Sequence, residues 1–357
     1  MPSSSIRVLT SSDVDQVLTD LSPEIALASQ SNVFKHFSSP SPSKEGEHAF
    51  IQTPHRITIS TEQSTMLFMP SRAPTSDNST TLSIKIVSVP TASDGGLPAT
   101  TMVMDESTGR VKAVVNARKL TALRNACGSA LFLRLFPSPT PPTHLVLFGS
   151  GAQCHLHTIL FLRLYSTIQS VTFVVRSSTA RSQSLINDLS KRFPGISIKA
   201  EVRPSSSSEE LAEVVGKGDI IVAATSSTVP LFTAQPKKDA RVILIGSYRP
   251  TMHEVERSLV ESAGVVVDSI EACMREAGEL IDSNLTNENL VEIGQLLDDS
   301  RAEEYKRKVQ ERANSIGGNG VVIFKSVGLG IQDVAITNIV LEQAEKMNLG
   351  HVVENYD

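Results

Sequence analysis

The alternation of apolar and polar residues changes period along the chain. Val14, Val17, Leu18 and Leu21, then Ile25 and Leu27, recur at helical spacing and predict an amphipathic helix over 13–34, restarted at Ser22-Pro23. From residue 55 the period drops to two. Short β-patterned runs at 55–60, 65–69, 81–89, 100–104 and 110–115 are divided by turn-forming segments, SRAPTSDNST at 71–80 and DESTGR at 105–110 among them. Five strands at that spacing predict an antiparallel sheet. Residues 38–48, rich in proline, serine and charge, read as a surface loop, and SSSSEE at 205–210 as a helix-capping loop.

A long helix over 117–136 follows, stopped at Pro137 by PSPTPPT. Beyond it strands and helices alternate. Strands are predicted at 144–148, 170–175, 196–202, 219–224, 241–245 and 264–267. Helices are predicted at 153–165, 180–193, 208–216 and 253–262, with helical stretches through 269–311. DIIVAAT and ARVILIG are apolar at nearly every position, as strands covered on both faces must be. The predicted class is α/β. A doubly wound, Rossmann-type sheet spans 137–319, and an α+β domain is built from 1–136 and 320–357. Gly317-Gly318-Asn319-Gly320 reads as the joint between them, and VVIFKSV with the helix after it as the returning segment.

One stretch carries the functional reading: HLVLF at 144–148 runs into Gly149-Ser150-Gly151, and Ala152-Gln153 then opens a helix. Strand, tight turn and helix start suit a dinucleotide pyrophosphate, because the backbone can approach the phosphates and first-turn N–H groups point at them. The third small position of this fingerprint is Cys154 rather than Gly or Ala. The next strand, 170–175, ends in Arg176-Ser177-Ser178-Thr179-Ala180-Arg181 without a carboxylate. A guanidinium pairs with a 2′-phosphate that an acid would repel, so NADP(H) is expected over NAD(H).

Composition narrows the partners. The net charge of −5 is spread over interleaved acids and bases, so nucleic acid is not expected as a partner. No apolar run reaches the ~18–20 residues of a membrane span, and MPSSSIRVLTSSDVDQVL lacks a signal-type apolar core. A cytoplasmic protein without a membrane partner is expected, its three scattered cysteines free thiols. Cys154-His155-x-His157 has metal-ligand chemistry, but neighbours on one helical turn do not converge on an ion, and no metal is expected.

Several blocks occur in the order of a known family. They are IKIVSV at 84–89, ARKLTALRNACGSAL at 117–131, GSGAQ at 149–153, DIIVAAT at 219–225, ILIGSYRPTMHEV at 243–255, VVVDSIEACMREAGEL at 266–280 and FKSVGLGIQDVA at 324–335. Over roughly 50–350 the chain resembles the ornithine cyclodeaminase/μ-crystallin family. The resemblance implies an NAD(P)-binding domain, a substrate domain made from both chain ends, and homodimers paired through that domain. It adds Ala224, Thr225, Ser226, Gly246 and Ser326 to the cofactor residues. It implies hydride exchange between nicotinamide and the α-carbon of an amino or imino acid. Arg56, Lys85 and Arg124 match its basic substrate positions: the two arginines suit a carboxylate clamp, and Lys85 a further clamp or a proton donor near the imine nitrogen.

The chain departs from true ornithine cyclodeaminases at one place. Where those resemble one another in an Asp two residues after the loop glycine, here Gly246, this chain has Tyr248. A tyrosine hydroxyl donates a hydrogen bond or a proton but cannot pair an ammonium as a carboxylate does. Tyr248 is thus read as a catalytic donor or a pocket wall. The expected activity is NADPH-dependent reduction of a cyclic or linear α-imino acid. The alternatives are a cyclodeaminase, an amino-acid or opine-type dehydrogenase, or a μ-crystallin-like protein that holds NADPH and a small ligand.

Overall fold

Each of the two hydrophobic periods builds its own sheet. The protein is described from a computed structural model that covers residues 5–39, 50–75, 79–91, 96–203, 208–297, 300–315 and 317–356. Most of the 38–48 loop, the centre of the 71–80 turn and Ser205–Ser207 lie outside the described residues. The chain opens with β1 (Ile6–Leu9), α1 (Ser11–Asp20) and α2 (Pro23–Ser38). Five strands follow: β2 (Ile57–Ser60), β3 (Ser64–Pro74), β4 (Thr80–Pro90), β5 (Ala99–Met104) and β6 (Val111–Asn116). Then comes α3 (Leu120–Leu135).

The alternating region starts with β7 (His144–Phe148), α4 (Ala152–Leu164), β8 (Ser170–Val175), α5 (Ala180–Arg192), β9 (Ser197–Val202) and α6 (Glu209–Lys217). It continues with β10 (Ile220–Ala223), β11 (Arg241–Leu244), α7 (Arg257–Ser262), β12 (Gly264–Val267), α8 (Ile270–Glu276) and α9 (Gly278–Ile281). β13 (Leu290–Glu292), α10 (Ala302–Ala313) and β14 (Val322–Lys325) complete it, and α11 (Gly330–Lys346) and β15 (His351–Val353) end the chain.

Two compact units result, residues 1–127 with 328–357, and residues 128–327. In the first, seven strands lie in the order β15-β1-β6-β5-β4-β3-β2. The five predicted strands pair antiparallel, and β1 adds a parallel pair on β6. β1 and β15 escape sequence reading because four and three residues are too few to show a period. β3 runs on to Pro74, into the expected turn. One face of this sheet packs on α11, which is buried on every side from Gly330 to Leu341 and is flanked by α1 and α2.

In the second unit eight parallel strands run β13-β12-β14-β11-β10-β7-β8-β9. The α/β Rossmann-type reading holds. β13 is a correction, since it lies inside the stretch expected to be helical. The second correction concerns β14. It was expected on the returning segment, yet it sits between β11 and β12. All four of its residues are buried, so the sheet is not complete without it and the division falls after Val327 rather than at 319/320. On the other side it falls after Cys127, within α3, rather than at 136/137. The Arg241 guanidinium explains why residues up to 137 belong here. It donates to the carbonyls of Phe136, Pro137, Asp239 and Gly320, tying the end of α3 and the GGNG segment to β11. β7 lies between β10 and β8, where the winding reverses direction; in such sheets ligands bind beyond the carboxyl ends of the strands at this point.

Candidate active site

The glycine turn stands at that switch point. Gly149 has φ +111°, a conformation that side chains rarely adopt, and a Cβ there would meet the Ala224 carbonyl oxygen at 3.2 Å. Gly151 is the N-cap of α4 and offers no capping side chain, so the first-turn N–H groups stay available to an anion. The Arg181 guanidinium, from the first turn of α5, comes within 3.4 Å of where a Gly151 Cβ would stand, which brings a cation to the glycine turn. Arg176, Ser177 and Ser178 are exposed beyond β8, and the Ser178 hydroxyl accepts from Gln183. A turn that only glycine can make, an uncapped helix start and a cation beside it fit a dinucleotide pyrophosphate.

Cys154 is explained by its surroundings. Its thiol lies 3.5 Å from the Phe148 carbonyl and fills the space under Gly149, and burial pushes it up to about 12, so it is a packing group and not a nucleophile. The three ligand-like residues diverge. Cys154 faces β7, His155 pairs with Asp188 at 2.8 Å, and His157 turns inward between the Gln153 carbonyl and the Ser129 hydroxyl.

The loops expected to hold the rest of the cofactor are organised by a residue that carries no signal in the sequence. The Glu254 carboxylate accepts from the backbone N–H groups of Thr225 at 2.9 Å and Gly246 at 2.7 Å, and so staples the loops after β10 and β11. Gly246 is pressed so close to Thr225 that a Cβ would fall 1.9 Å from its carbonyl oxygen. Ser247 is buried beneath this loop. Its hydroxyl lies 2.5 Å from Lys325 Nζ and 2.5 Å from Glu279 Oε1. Burial pushes Glu254 up to about 7 against the pull of Lys325. Burial alone would lower Lys325, but the carboxylates of Glu279 and Glu254 raise it above its ordinary value. Ser326 is buried too, its hydroxyl donated to Asp268 at 2.7 Å. Ala224 and Tyr248 are half-buried and Ser226 is exposed, with the Tyr248 ring 5.5 Å from the Arg249 guanidinium carbon. Lys325 in VVIFKSV carries the same signal as Lys85 in SIKIVSV, a lone cation in an apolar strand, and was open to the same inference.

In the first unit the structure brings Lys85 and Arg124 together on a carboxylate the sequence did not single out. Lys85 points from β4 to Asp333 of α11 at 2.6 Å, and Arg124 Nε reaches the other carboxylate oxygen at 3.2 Å. Arg124 also donates to Gln332 Oε1 at 3.1 Å and to Asn125. Gly328, at φ +87°, lets the guanidinium lie where a Cβ would clash at 2.5 Å. All three charged groups are buried. Burial lowers Lys85 to about 8, with the positive charges of Arg124 and Arg56 adding to it and Asp333 opposing. Burial works against ionisation of Asp333, yet Arg124 and Lys85 hold it below the usual carboxylate range. Arg56, half-buried just before β2, completes the cationic group. A guanidinium fixed by Asp333 and Gln332, a second one nearby and an amine near the top of the neutral pH range can hold a carboxylate and deliver a proton.

The fold is that of a dinucleotide-binding α/β protein, and its first unit carries a buried cluster of Lys85, Arg124 and Asp333. A sequence model of the ornithine cyclodeaminase/mu-crystallin family matches residues 25–348, and the chain belongs to that family. It is 27% identical over 310 residues to a Delta(1)-pyrroline-2-carboxylate reductase of Bacillus cereus, covering 84% of this chain and 87% of that one. Ketimine reductase mu-crystallin of Mus musculus is 24% identical over 245 residues, covering 68% and 69%. Among solved structures, the Delta(1)-pyrroline-2-carboxylate reductase of Thermococcus litoralis, in complex with NADH and L-proline, superposes with a TM-score of 0.77. It covers 97% of this chain and 99% of its own at 19% identity, a likeness of fold.

Proposed function

We propose that the protein is an imine reductase that uses NADP(H) in preference to NAD(H) and acts on a cyclic or linear α-imino acid. The observation that carries this reading is the buried Lys85–Asp333–Arg124 group, with Lys85 at about 8. When bound, the nicotinamide supplies the hydride. Arg56 and Arg124 hold the substrate carboxylate and so set the position of the C=N carbon. Lys85 Nζ gives a proton to the imine nitrogen, and Asp333 keeps the ammonium aimed. Tyr248 belongs to the proposed set as a second proton donor, through its hydroxyl, and its replacement of an acid speaks against deamination of ornithine. Relatives named as pyrroline-carboxylate and ketimine reductases support the reaction class.

Gly149 to Gln153, Ala224 to Ser226, Gly246 and Ser326 make up the proposed cofactor set. NADP(H) preference rests on Arg176 just after β8, Arg181 in the first turn of α5, and the lack of an acid between them. The protein is further proposed to pair with a second copy through the first unit. In its sheet Met66, Phe68, Ile84, Ile86, Met102 and Val114 lie half-buried on the face opposite Lys85, an apolar surface that a second copy would cover. A cytoplasmic location is part of the proposal, supported by three buried free thiols. Among the described residues no helix is long and apolar enough to cross a membrane.

Purified protein mixed with NADPH and Δ1-pyrroline-2-carboxylate or Δ1-piperideine-2-carboxylate is expected to lose nicotinamide absorbance. No oxidation with any α-imino acid, cyclic or formed from a keto acid and an amine, overturns the reading. Arg176→Asp is expected to weaken NADPH binding at least tenfold while leaving NADH binding within a factor of about three. Equal loss for both cofactors places the 2′-phosphate elsewhere.

A further inference from the structure

Asp333 begins a stripe on α11. At helical spacing the same face continues through Thr337 and Leu341 to Glu345. Across from it, β4 carries Ser83 on the same face as Lys85, and β5 sets Thr101 opposite Lys85 and Val103 opposite Ser83. Ser83, Thr101 and Thr337 are 2%, 0% and 1% exposed. Neither Thr101 Oγ1 nor Thr337 Oγ1 has a hydrogen-bond partner among the described residues. A buried hydroxyl left without a partner costs about 1–3 kcal/mol, and native proteins commonly meet that need with ordered water. Valine has the same shape without the cost, so two such threonines beside one buried ion pair point to water.

This layer has an outer end. Leu341 and Val103 also line a cleft of about 310 Å³ whose rim carries Asp105, Glu106, Glu342 and Glu345, with Lys112 the cation among them. Glu106 is committed to Arg72 and Thr80, Glu342 to Asn338, and Asp105 Oδ1 to Ser107 and Thr108, which leaves Glu345 exposed to solvent at the rim. From Asp333 to Leu341 the helix rises roughly 12 Å, a span of four or five hydrogen-bonded steps of about 2.8 Å.

We infer that ordered water occupies the layer between β4, β5 and α11, held by Thr101 and Thr337, and that it returns protons to Lys85 from the acidic cleft. The inference rests on the proposed imine reduction, in which Lys85 gives up one proton per turnover. An Nζ–H bond breaks as the substrate N–H bond forms, leaving a neutral amine beside Asp333, Arg124 and Arg56. That amine takes a proton from the adjoining water. Each donor along the row is refilled by the next, and the last takes its proton from solvent at the carboxylate rim. No oxidant or further reactant is involved.

Two measurements decide it. A crystal structure at a resolution that shows waters is expected to place one within hydrogen-bonding distance of Thr101 Oγ1 or Thr337 Oγ1, whatever the enzyme's substrate. An empty layer overturns the inference. Thr101→Val and Thr337→Val are expected to bind NADPH within twofold of wild type, to lose about tenfold in kcat on the imine, and to show a larger solvent deuterium isotope effect. Thr101→Ser and Thr337→Ser, which keep the hydroxyl, restore both. Wild-type kcat and isotope effect in the valine variants overturn the proton route while leaving imine reduction standing, and so does equal loss in the serine and valine pairs. Failure of the wild type to reduce any imine removes the functional reading and the proton route with it, and the water positions then test the hydration alone.

Discussion

Lys85 and Asp333 stand 248 positions apart in the chain and meet at 2.6 Å in the interior of the first unit. The contact ties the middle of β4 to the first turn of α11, and Arg124 makes it a three-membered group. Removing the shared acid leaves two buried cations without their counter-ion. Asp333→Asn is expected to cost roughly 3–5 kcal/mol of stability, read by urea unfolding. A loss below about 1 kcal/mol means that the cluster takes up water or rearranges.

Activity should follow the Lys85 ammonium. With Lys85 at about 8, the proton-donating form dominates below that pH, so kcat/KM for the imine is expected to be lost as pH rises through 8. Arg56→Gln removes one neighbouring positive charge and is expected to move the midpoint upward, besides raising KM. A midpoint that stays fixed or falls contradicts the electrostatic account.

The glycines separate into kinds. Gly246→Ala puts a Cβ 1.9 Å from a backbone oxygen and Gly149→Ala forces a side chain to φ +111°, so both are expected to lower Tm and abolish cofactor binding. Gly151 has ordinary backbone geometry and only the end of Arg181 nearby. Gly151→Val is expected to leave Tm within a few degrees yet block NADPH, while Cys154→Ala retains binding. Fluorescence titration and thermal melts distinguish these outcomes. Retained NADPH affinity in Gly151→Val means that the phosphates lie elsewhere.

His157 makes the second unit acid-sensitive. It is wholly buried, and burial lowers it to about 4, so the folded state keeps the ring neutral. Between pH 4 and 6.5 the unfolded chain binds the proton that the folded chain refuses. Stability is therefore present above pH 6.5 and lost as pH falls toward 4, by up to about 3 kcal/mol. His157→Gln is expected to flatten this slope in chemical unfolding measured from pH 4 to 7. An unchanged slope assigns the acid sensitivity to other groups.

The sequence by itself determined whatever depends on neighbours in the chain. The two periods set an antiparallel sheet and a parallel one, HLVLFGSG set the glycine turn at the start of α4, and Lys85 stood out as a cation in an apolar strand. Tertiary structure alone decided which acids meet these groups. Asp333 lies in an apolar helix and Glu254 in a short polar run, and neither has a local partner to mark it. Their roles arise only when α11 packs on β4, and when the Glu254 carboxylate turns toward the loops after β10 and β11. β1, β13 and β15 were hidden for a related reason, being three or four residues long and made strands by the sheet edges they join. β14 was visible as a strand but not its place, because strand order is set by crossovers that a single strand's pattern does not encode. An ion pair across 248 residues is a property of packing: the chain supplies the charges, and the fold decides which of them share a low-dielectric interior where pairing is obligatory.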